Sequence, residues 1–258
     1  MMRTMKSIIF AASAAVAVSF GFTGTAKANE GVELPQLNWA QSGPFGRIDN
    51  AQARRGFQIY KEICSNCHSL NLVSYRNLRG IGFSEDEVKA IAATSQVQDG
   101  PNDQGEMFMR PAIQSDRFVK PFENEKKARI ANNGSLPPDL SVIIKARHGG
   151  EDYVAALLTG YTDAPAGVAV PDGKYYNKFF PGHTVGMPQM LFDGSVTYTD
   201  GTKATPTQEA EDVAVFLSYV AEPTQDERKA LGVKVMLFLV VFAGLMDACK
   251  RQLWAGLH

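Results

Sequence analysis

Apolar residues recur at helical spacing in several short stretches of this 258-residue chain, and residues that can cap a helix precede them. Ser84 with Glu87, and Thr205 with Gln208, match the pattern of a capping box. The predicted helices run from Asn50 to Ile63 (capped by Asp49 or Asn50), from Glu85 to Ala93, from Leu140 to Arg147 (capped by Asp139), from Asp152 to Thr159, and from Pro206 to just before Pro223. The pattern therefore predicts a mainly helical fold.

The segments between these helices are rich in glycine, proline and polar residues. Residues 98–105 and 161–186 are predicted loops with little regular structure. Two Asp-Gly turns bracket the β-prone residues 195–199, which predicts a small hairpin there. Arg54 and Arg55 fall on the polar side of the first helix, and we expect both to be solvated.

Two longer apolar runs lie at the ends of the chain. Near the start, Arg3 and Lys6 precede an apolar stretch, and the small-x-small sequence at residues 26–28 is typical of a cleavage site. This pattern predicts a signal peptide at residues 1–28 and hence export; a first membrane anchor is the alternative.

Near the end, residues 231–254 would extend about 36 Å as a helix, enough to cross a hydrocarbon core of about 30 Å. Asp247 can pair with Arg251 one helical turn away. The alternative is a buried core helix. We therefore expect an exported domain at residues 29–224 and, at 225–258, a transmembrane anchor with a short cytoplasmic tail.

Charge and cysteine usage narrow the functional classes. The chain has 26 basic and 27 acidic residues, and removal of a leader with three basic and no acidic residues leaves a net charge of −4. This balance argues against nucleic acid as a partner. Local acids at Glu85, Asp86 and Glu87 could steer a basic protein partner, although such a run is usually a solvated face.

The most specific chemical signal is Cys64-Ser65-Asn66-Cys67-His68, a C-x-x-C-H sequence of the kind that attaches a c-type haem. The two thiols can form thioethers with the haem vinyl groups, and His68 can then ligate the iron. A thioredoxin-like site would require a βαβ pattern, and a zinc site would require a second pair of ligands. The only other cysteine is Cys249, so no internal disulfide is expected once both thiols are consumed.

A haem held by one histidine needs a ligand or an open position on its other face. A methionine ligand occupies the sixth coordination position of the iron and raises its reduction potential, which suits electron transfer. An open sixth position suits O₂ or peroxide chemistry. The candidates are Met187, Met190, His148, His183, Met107 and Met109. Met187 has the most suitable context, because a glycine before it allows close backbone approach and a proline after it stiffens the loop. Spacing alone leaves the choice open.

Several longer motifs resemble the cytochrome c1 family, the c-type haem subunit of the quinol–cytochrome c reductase (bc1) complex. They are RRGFQIYKEICSNCHSL at 54–70, ANNG at 131–134, LPPDLS at 136–141, ARHGGEDY at 146–153, VGMP at 185–188 and AEP at 221–223. The resemblance covers nearly all of the chain after the leader. It implies a class I cytochrome c fold with loop insertions, an N-terminal helix crossing a C-terminal one, and one C-terminal transmembrane helix.

The same resemblance implies specific roles for residues of this chain. Cys64 and Cys67 would hold one haem c covalently, and His68 and Met187 would be its axial ligands. Arg147 and Tyr153 would contact the haem propionates, which agrees with the chemistry of a guanidinium and a phenol.

The resemblance also implies a function and partners. The chain would be a non-catalytic subunit that passes electrons from a Rieske iron–sulfur protein to a soluble or membrane-anchored cytochrome c, beside cytochrome b. It would sit in the bacterial inner membrane with its haem domain in the periplasm. A free membrane-anchored cytochrome c and a haem peroxidase are the alternatives.

Overall fold

The computed structural model describes residues 32–256, so the predicted signal peptide lies outside the described residues. Within them the helices are α1 (Asn50–Glu62), α2 (Glu85–Ala93), α3 (Glu125–Ala131), α4 (Ile143–Ala146), α5 (Gly150–Thr159), α6 (Pro206–Ala221) and α7 (Gln225–Trp254). Short 3-10 helices cover Cys64–Asn66 and Tyr75–Ile81. The prediction of a mainly helical fold is confirmed.

Local capping explains where several helices begin. The Asp49 side chain accepts hydrogen bonds from the first-turn backbone of α1, and Ser84 and Glu87 form the predicted capping box at α2. Thr205 accepts from the Gln208 backbone N–H at the start of α6. These side chains satisfy backbone donors that have no partner within the helix itself.

The centre of the domain is the crossing of α1 and α6. A Cβ at Gly56 would lie 2.0 Å from the Asp212 carbonyl oxygen, so only glycine lets the two backbones approach this closely. Beside the crossing, the Phe216 ring packs 5.6 Å from Phe57 and 5.8 Å from Tyr60, measured between ring centroids. All three side chains are buried, so this aromatic cluster fixes the end of α1 that leads into the C-x-x-C-H sequence.

Two antiparallel ribbons are the sheet structure of the described residues. Strand β1 (Gln96–Asp99) pairs with β2 (Phe108–Pro111), so most of the predicted loop at 98–105 is the connection of a hairpin whose strands the sequence did not predict. Strand β3 (Tyr175–Tyr176) pairs with β4 (Thr184–Val185) inside the otherwise irregular segment 161–186. The predicted hairpin at 195–199 is wrong, because those residues form turns and extended chain without strand pairing.

Two local predictions on α1 and α4 are also wrong. Arg55 is not simply solvated: its Nε donates to Asp212 Oδ2 over 2.8 Å, and Asp212 on α6 has no exposed surface. Asp139 does not cap a helix starting at Leu140, since α4 starts only at Ile143 and Val142 occupies its N-cap position. Both side chains instead form hydrogen bonds with residues far away in the sequence: Arg55 with Asp212, and Asp139 with Ser69 and Asn71.

Helix α7 leaves the domain directly after α6. Its 30 residues would span about 45 Å at 1.5 Å per residue, and it has no buried residue. By length and composition it can cross a membrane. Arg251 Nε lies 2.8 Å from Asp247 Oδ2, which is the predicted pair. The alternative of a buried core helix is therefore wrong.

Candidate functional site

A cavity of about 420 Å³ lies among α1, α4, α5 and α6. Its walls include every residue that the sequence analysis assigned to the haem: Cys64, Cys67, His68, Arg147, Tyr153 and Met187. These positions are spread over more than 120 residues of sequence, and the fold brings them to one space. Pro137 and Pro138 of the LPPDLS motif line the same cavity.

The end of α1 positions the C-x-x-C-H residues. Ile63 closes the helix, and the chain then tightens into one 3-10 turn in which the backbone N–H groups of Cys67 and His68 both donate to the Cys64 carbonyl, at 3.1 and 2.9 Å. Ser65 Oγ donates to the Lys61 carbonyl. The turn places both sulfurs and the imidazole on the cavity wall.

The His68 ring is held by a backbone acceptor. Its Nδ1 lies 2.8 Å from the Pro138 carbonyl oxygen. A hydrogen bond from Nδ1–H to this carbonyl fixes the tautomer and leaves the Nε2 lone pair available for a metal, which is the usual arrangement of ligating histidines. Burial lowers the pKa of His68, which further favours the neutral, ligating form of the imidazole.

Asp139 ties the two segments around His68 together. Its Oδ2 accepts from Ser69 Oγ and from the Asn71 backbone N–H, each at 2.8 Å, and its Oδ1 accepts from the Ser141 backbone N–H. Burial opposes ionisation of this carboxyl, but the hydrogen bonds from Ser141, Asn71 and Ser69 together hold the pKa of Asp139 below its ordinary value. Asp139 thus links the Pro137-Pro138 pair, whose second carbonyl bonds His68, to Ser69 and Asn71 just after His68.

The cysteines face apolar surroundings. Burial is the main reason that the pKa of the Cys64 thiol is raised to about 12. Among the residues that the structure describes, no group of three or more His, Cys, Asp or Glu side chains could hold a metal ion, so a zinc site has no ligand set here. Both cysteines line the cavity, where apolar side chains surround them.

The segment after β4 brings methionines to the cavity. Both Met187 and Met190 line it and are half-buried. Tyr161 Oη donates a hydrogen bond of 2.9 Å to the Met187 carbonyl, which fixes the backbone at this position. The preceding Val185 is buried and paired in the β3–β4 ribbon. Met187 is therefore the more firmly held of the two.

The other candidates for the sixth ligand are not part of the cavity wall. His148 and His183 do not line it, and His183 instead stacks on Tyr176 at a centroid distance of 5.6 Å. Met107 and Met109 lie at the β1–β2 hairpin and are more than half exposed. The choice left open by the sequence narrows to Met187 and Met190.

The remaining lining shows what sort of molecule fits. Arg147 is exposed at the cavity edge, whereas Tyr153 is 6% exposed on its wall. Apolar side chains with no predicted role form much of the remaining lining: Ile63, Leu140, Ile143, Val154, Leu157, Leu158, Phe180, Leu191, Val213 and Leu217. A large planar apolar group with anionic edges suits this lining, and a covalently bound haem has that shape and chemistry.

The acidic run at Glu85–Glu87 serves the start of α2. Glu87 pairs with Arg54 and Glu85 with Lys89, and all three acids stand in the first helical turn, where negative charge stabilises the helix. None of them lines the cavity. Their contacts show that the run stabilises the start of α2, and its steering of a basic partner stays a prediction.

Comparison with known proteins gives one consistent result. The model of the cytochrome C1 family matches residues 39–257. The chain is 50% identical over 248 residues to "Cytochrome c1-2, heme protein, mitochondrial" of Solanum tuberosum, covering 95% of each chain. It is 44% identical to "Cytochrome c1" of Rhodospirillum rubrum, covering 97% of this chain and 98% of the relative. It is also 44% identical to "Cytochrome b/c1" of Bradyrhizobium diazoefficiens, covering 99% of this chain and 41% of the relative.

Proposed function

We propose that this chain, which belongs to the cytochrome c1 family, binds its haem c through Cys64 and Cys67, with His68 and Met187 as the axial ligands. Its function is that of the family: it is the haem-bearing electron-transfer subunit of the bc1 complex. The observation that carries the site assignment is the cavity, which unites the C-x-x-C-H turn and Met187 across more than 120 residues of sequence. A free cytochrome c and a haem peroxidase are not supported.

Bound haem supplies a one-electron iron couple, and this chain controls the surroundings of that couple. The Pro138 carbonyl oxygen accepts a hydrogen bond from His68 Nδ1–H, which would leave Nε2 free to ligate the haem iron and would set the orientation and basicity of that ligand. The hydrogen bonds that Asp139 accepts from Ser69 and Asn71 hold the proline segment beside His68, which would keep the imidazole in one orientation.

Methionine as the second ligand supports electron transfer rather than oxygen chemistry. A thioether favours the reduced iron and closes the position that O₂ or peroxide would need. Tyr161 donates a hydrogen bond to the Met187 carbonyl and fixes the backbone there, and Leu157, Leu158 and Leu217 add apolar surface to the cavity wall. An apolar lining around a fixed ligand suits electron transfer.

Arg147 and Tyr153 are proposed to bind the haem propionates. Arg147 is exposed at the cavity edge, where its planar guanidinium can pair with a carboxylate in bidentate fashion. Tyr153 can donate its phenolic proton from the wall.

The partners are proposed to be cytochrome b, a Rieske iron–sulfur protein as the electron donor, and a soluble or membrane-anchored cytochrome c as the acceptor. Membership of the bc1 complex implies the first two. The relative named "Cytochrome b/c1" joins both cytochromes in one name, and this chain covers 41% of its length. The chain is membrane-anchored through α7, and we propose that the haem domain faces the periplasm of a bacterial inner membrane.

A matched pair of variants tests the ligand assignment. Replacing Met187 by Leu should lower the reduction potential and let carbon monoxide bind the reduced iron, because the position becomes open. Met190→Leu removes the same thioether from the same cavity and should change neither property. If Met190→Leu opens the iron and Met187→Leu does not, the ligand is Met190.

A further inference from the structure

A second cavity lies where helix α7 leaves the haem domain. It has a volume of about 530 Å³. One wall is the turn Gly43-Pro44-Phe45, and the other is the first part of α7: Arg228, Lys229, Gly232, Val233 and Met236. We call this cavity the juxtamembrane groove. Nothing in the haem chemistry uses it.

The turn is fastened to α7 by hydrogen bonds, so the groove is a built feature. Lys229 Nζ donates to the carbonyl oxygens of Gln41 and Gly46, and Gln225 Nε2 donates to Gln41 over 3.2 Å. The Ile48 backbone N–H donates to Asp226 Oδ1. These contacts link the turn region to the start of α7, while Phe45 at the tip of the turn is 79% exposed.

The position of the groove along α7 indicates its surroundings. The rise from Arg228 to Met236 is about 12 Å, and the residues of α7 that line the groove change over this distance from cationic to apolar; Lys234, which also lies in this stretch, does not line the groove. A bilayer changes from headgroups to hydrocarbon over a similar depth, since the headgroup zone adds about 5–8 Å on each side of the hydrocarbon core. The groove therefore spans the level of the phosphate groups and the first part of the acyl chains.

The side chains match the two ends of a lipid. Arg228 Nε pairs with Glu222, and its two terminal nitrogens have no hydrogen-bonding partner in the part of the chain that the structure describes. They can bind a phosphate in the bidentate manner typical of arginine. Val233 and Met236, which are 42% and 62% exposed, face Phe45 across a space that an acyl chain can fill.

We propose that the juxtamembrane groove binds one membrane phospholipid, with its phosphate at Arg228 and an acyl chain between Phe45 and the α7 residues Gly232 to Met236. The proposal rests on the membrane anchor of the proposed function. A bound lipid would couple the haem domain to the membrane surface at the point where the two meet, and would restrict the tilt of the domain on α7.

Two glycines of α7 give a matched test. A Cβ at Gly232 or at Gly244 meets no other atom within 4 Å, so both positions accept a larger side chain without a clash. Only Gly232 lines the groove. Gly232→Phe should fill the groove, whereas Gly244→Phe adds the same bulk to the same helix elsewhere.

The full haem-carrying chain is reconstituted in phosphatidylglycerol nanodiscs and then released into mild detergent. Native mass spectrometry counts the phospholipid molecules that each chain retains. The parent chain and Gly244→Phe should each retain one phospholipid, and Gly232→Phe should retain none. Arg228→Gln should release the lipid at a lower detergent concentration. Equal retention by all the variants would overturn the site.

Two other outcomes would also overturn it, and they are distinguishable. A chain that never enters the nanodiscs would refute the anchor and, with it, the groove site. If the parent chain retains no lipid and Gly232→Phe prevents assembly with the other subunits, the groove is instead the seat of a partner's transmembrane helix.

Discussion

Arg54 and Arg55 are neighbours on α1, and their replacement by methionine should have very different effects on stability. Arg55 forms two hydrogen bonds with Asp212, of 2.8 Å from Nε and 3.1 Å from Nη2. Asp212 is fully buried and Arg55 is 17% exposed. Arg54 pairs with Glu87 at a site where both side chains are more than a third exposed. The two pairs thus differ in desolvation.

The magnitude for Arg55→Met follows from the carboxylate that stays behind. Removing one partner of a buried ion pair costs about 3–5 kcal/mol, because the other charge stays buried without compensation. Gln208 Nε2 still donates to Asp212 over 2.8 Å, which favours the lower end of the range. We expect a loss of about 3 kcal/mol, which for a protein of this size lowers the melting temperature by about 6–12 °C.

Urea unfolding of the detergent-solubilised haem protein, followed by the haem absorption band, measures the difference. Arg54→Met is the matched control and should lose far less stability. The double variant Arg55→Met with Asp212→Leu should recover most of the loss, because it removes the stranded charge. Equal losses in the two single variants, or no recovery in the double variant, would refute the reasoning.

Two further predictions concern the same crossing of helices. Burial raises the pKa of Glu209, with further contributions from Asp193 and Asp212, so the folded state holds this proton more tightly than the unfolded chain. The free energy of unfolding should therefore fall as pH rises from the ordinary pKa range of glutamate through the raised pKa of Glu209. Denaturant titrations at several pH values should show that the free energy of unfolding of Glu209→Gln lacks this decrease. An equal decrease in the variant would contradict the prediction. Gly56→Ala should destabilise the fold by about 1–3 kcal/mol or more, since its Cβ would meet the Asp212 carbonyl at 2.0 Å. Gly232→Ala is the control, because its Cβ meets nothing within 4 Å. Equal melting temperatures of the two variants would contradict the prediction.

The elements that the sequence predicted well are those that depend on local rules. Asp49, Ser84 and Thr205 begin helices because each can satisfy a backbone donor two or three residues ahead, a relation visible in the sequence itself. The C-x-x-C-H turn is equally local. The position of Met187 could be suggested only by its neighbours and by family resemblance, and the cavity then separated it from His148 and His183.

The predictions that failed depend on distant partners. Helical spacing alone predicts a solvated Arg55, because its partner, Asp212, is 157 residues away in the sequence. Asp139 looked like a helix cap, but Ser69 and Asn71 compete for its carboxylate. The β1–β2 hairpin was missed because both strands are largely exposed and show no apolar alternation, whereas the Asp-Gly turns around 195–199 form without strand pairing. In each case the contacts with distant parts of the chain determine the local structure.

The central claim is that electrons pass through the haem held by Cys64, Cys67, His68 and Met187. Rapid mixing tests it most directly: the purified complex, reduced with one electron equivalent, is mixed with oxidised cytochrome c while the absorption of both haems is followed. The account predicts that the haem of this chain is oxidised at the same rate as cytochrome c is reduced, and that the rate increases with cytochrome c concentration. A cytochrome c that becomes reduced while this haem stays reduced would contradict it.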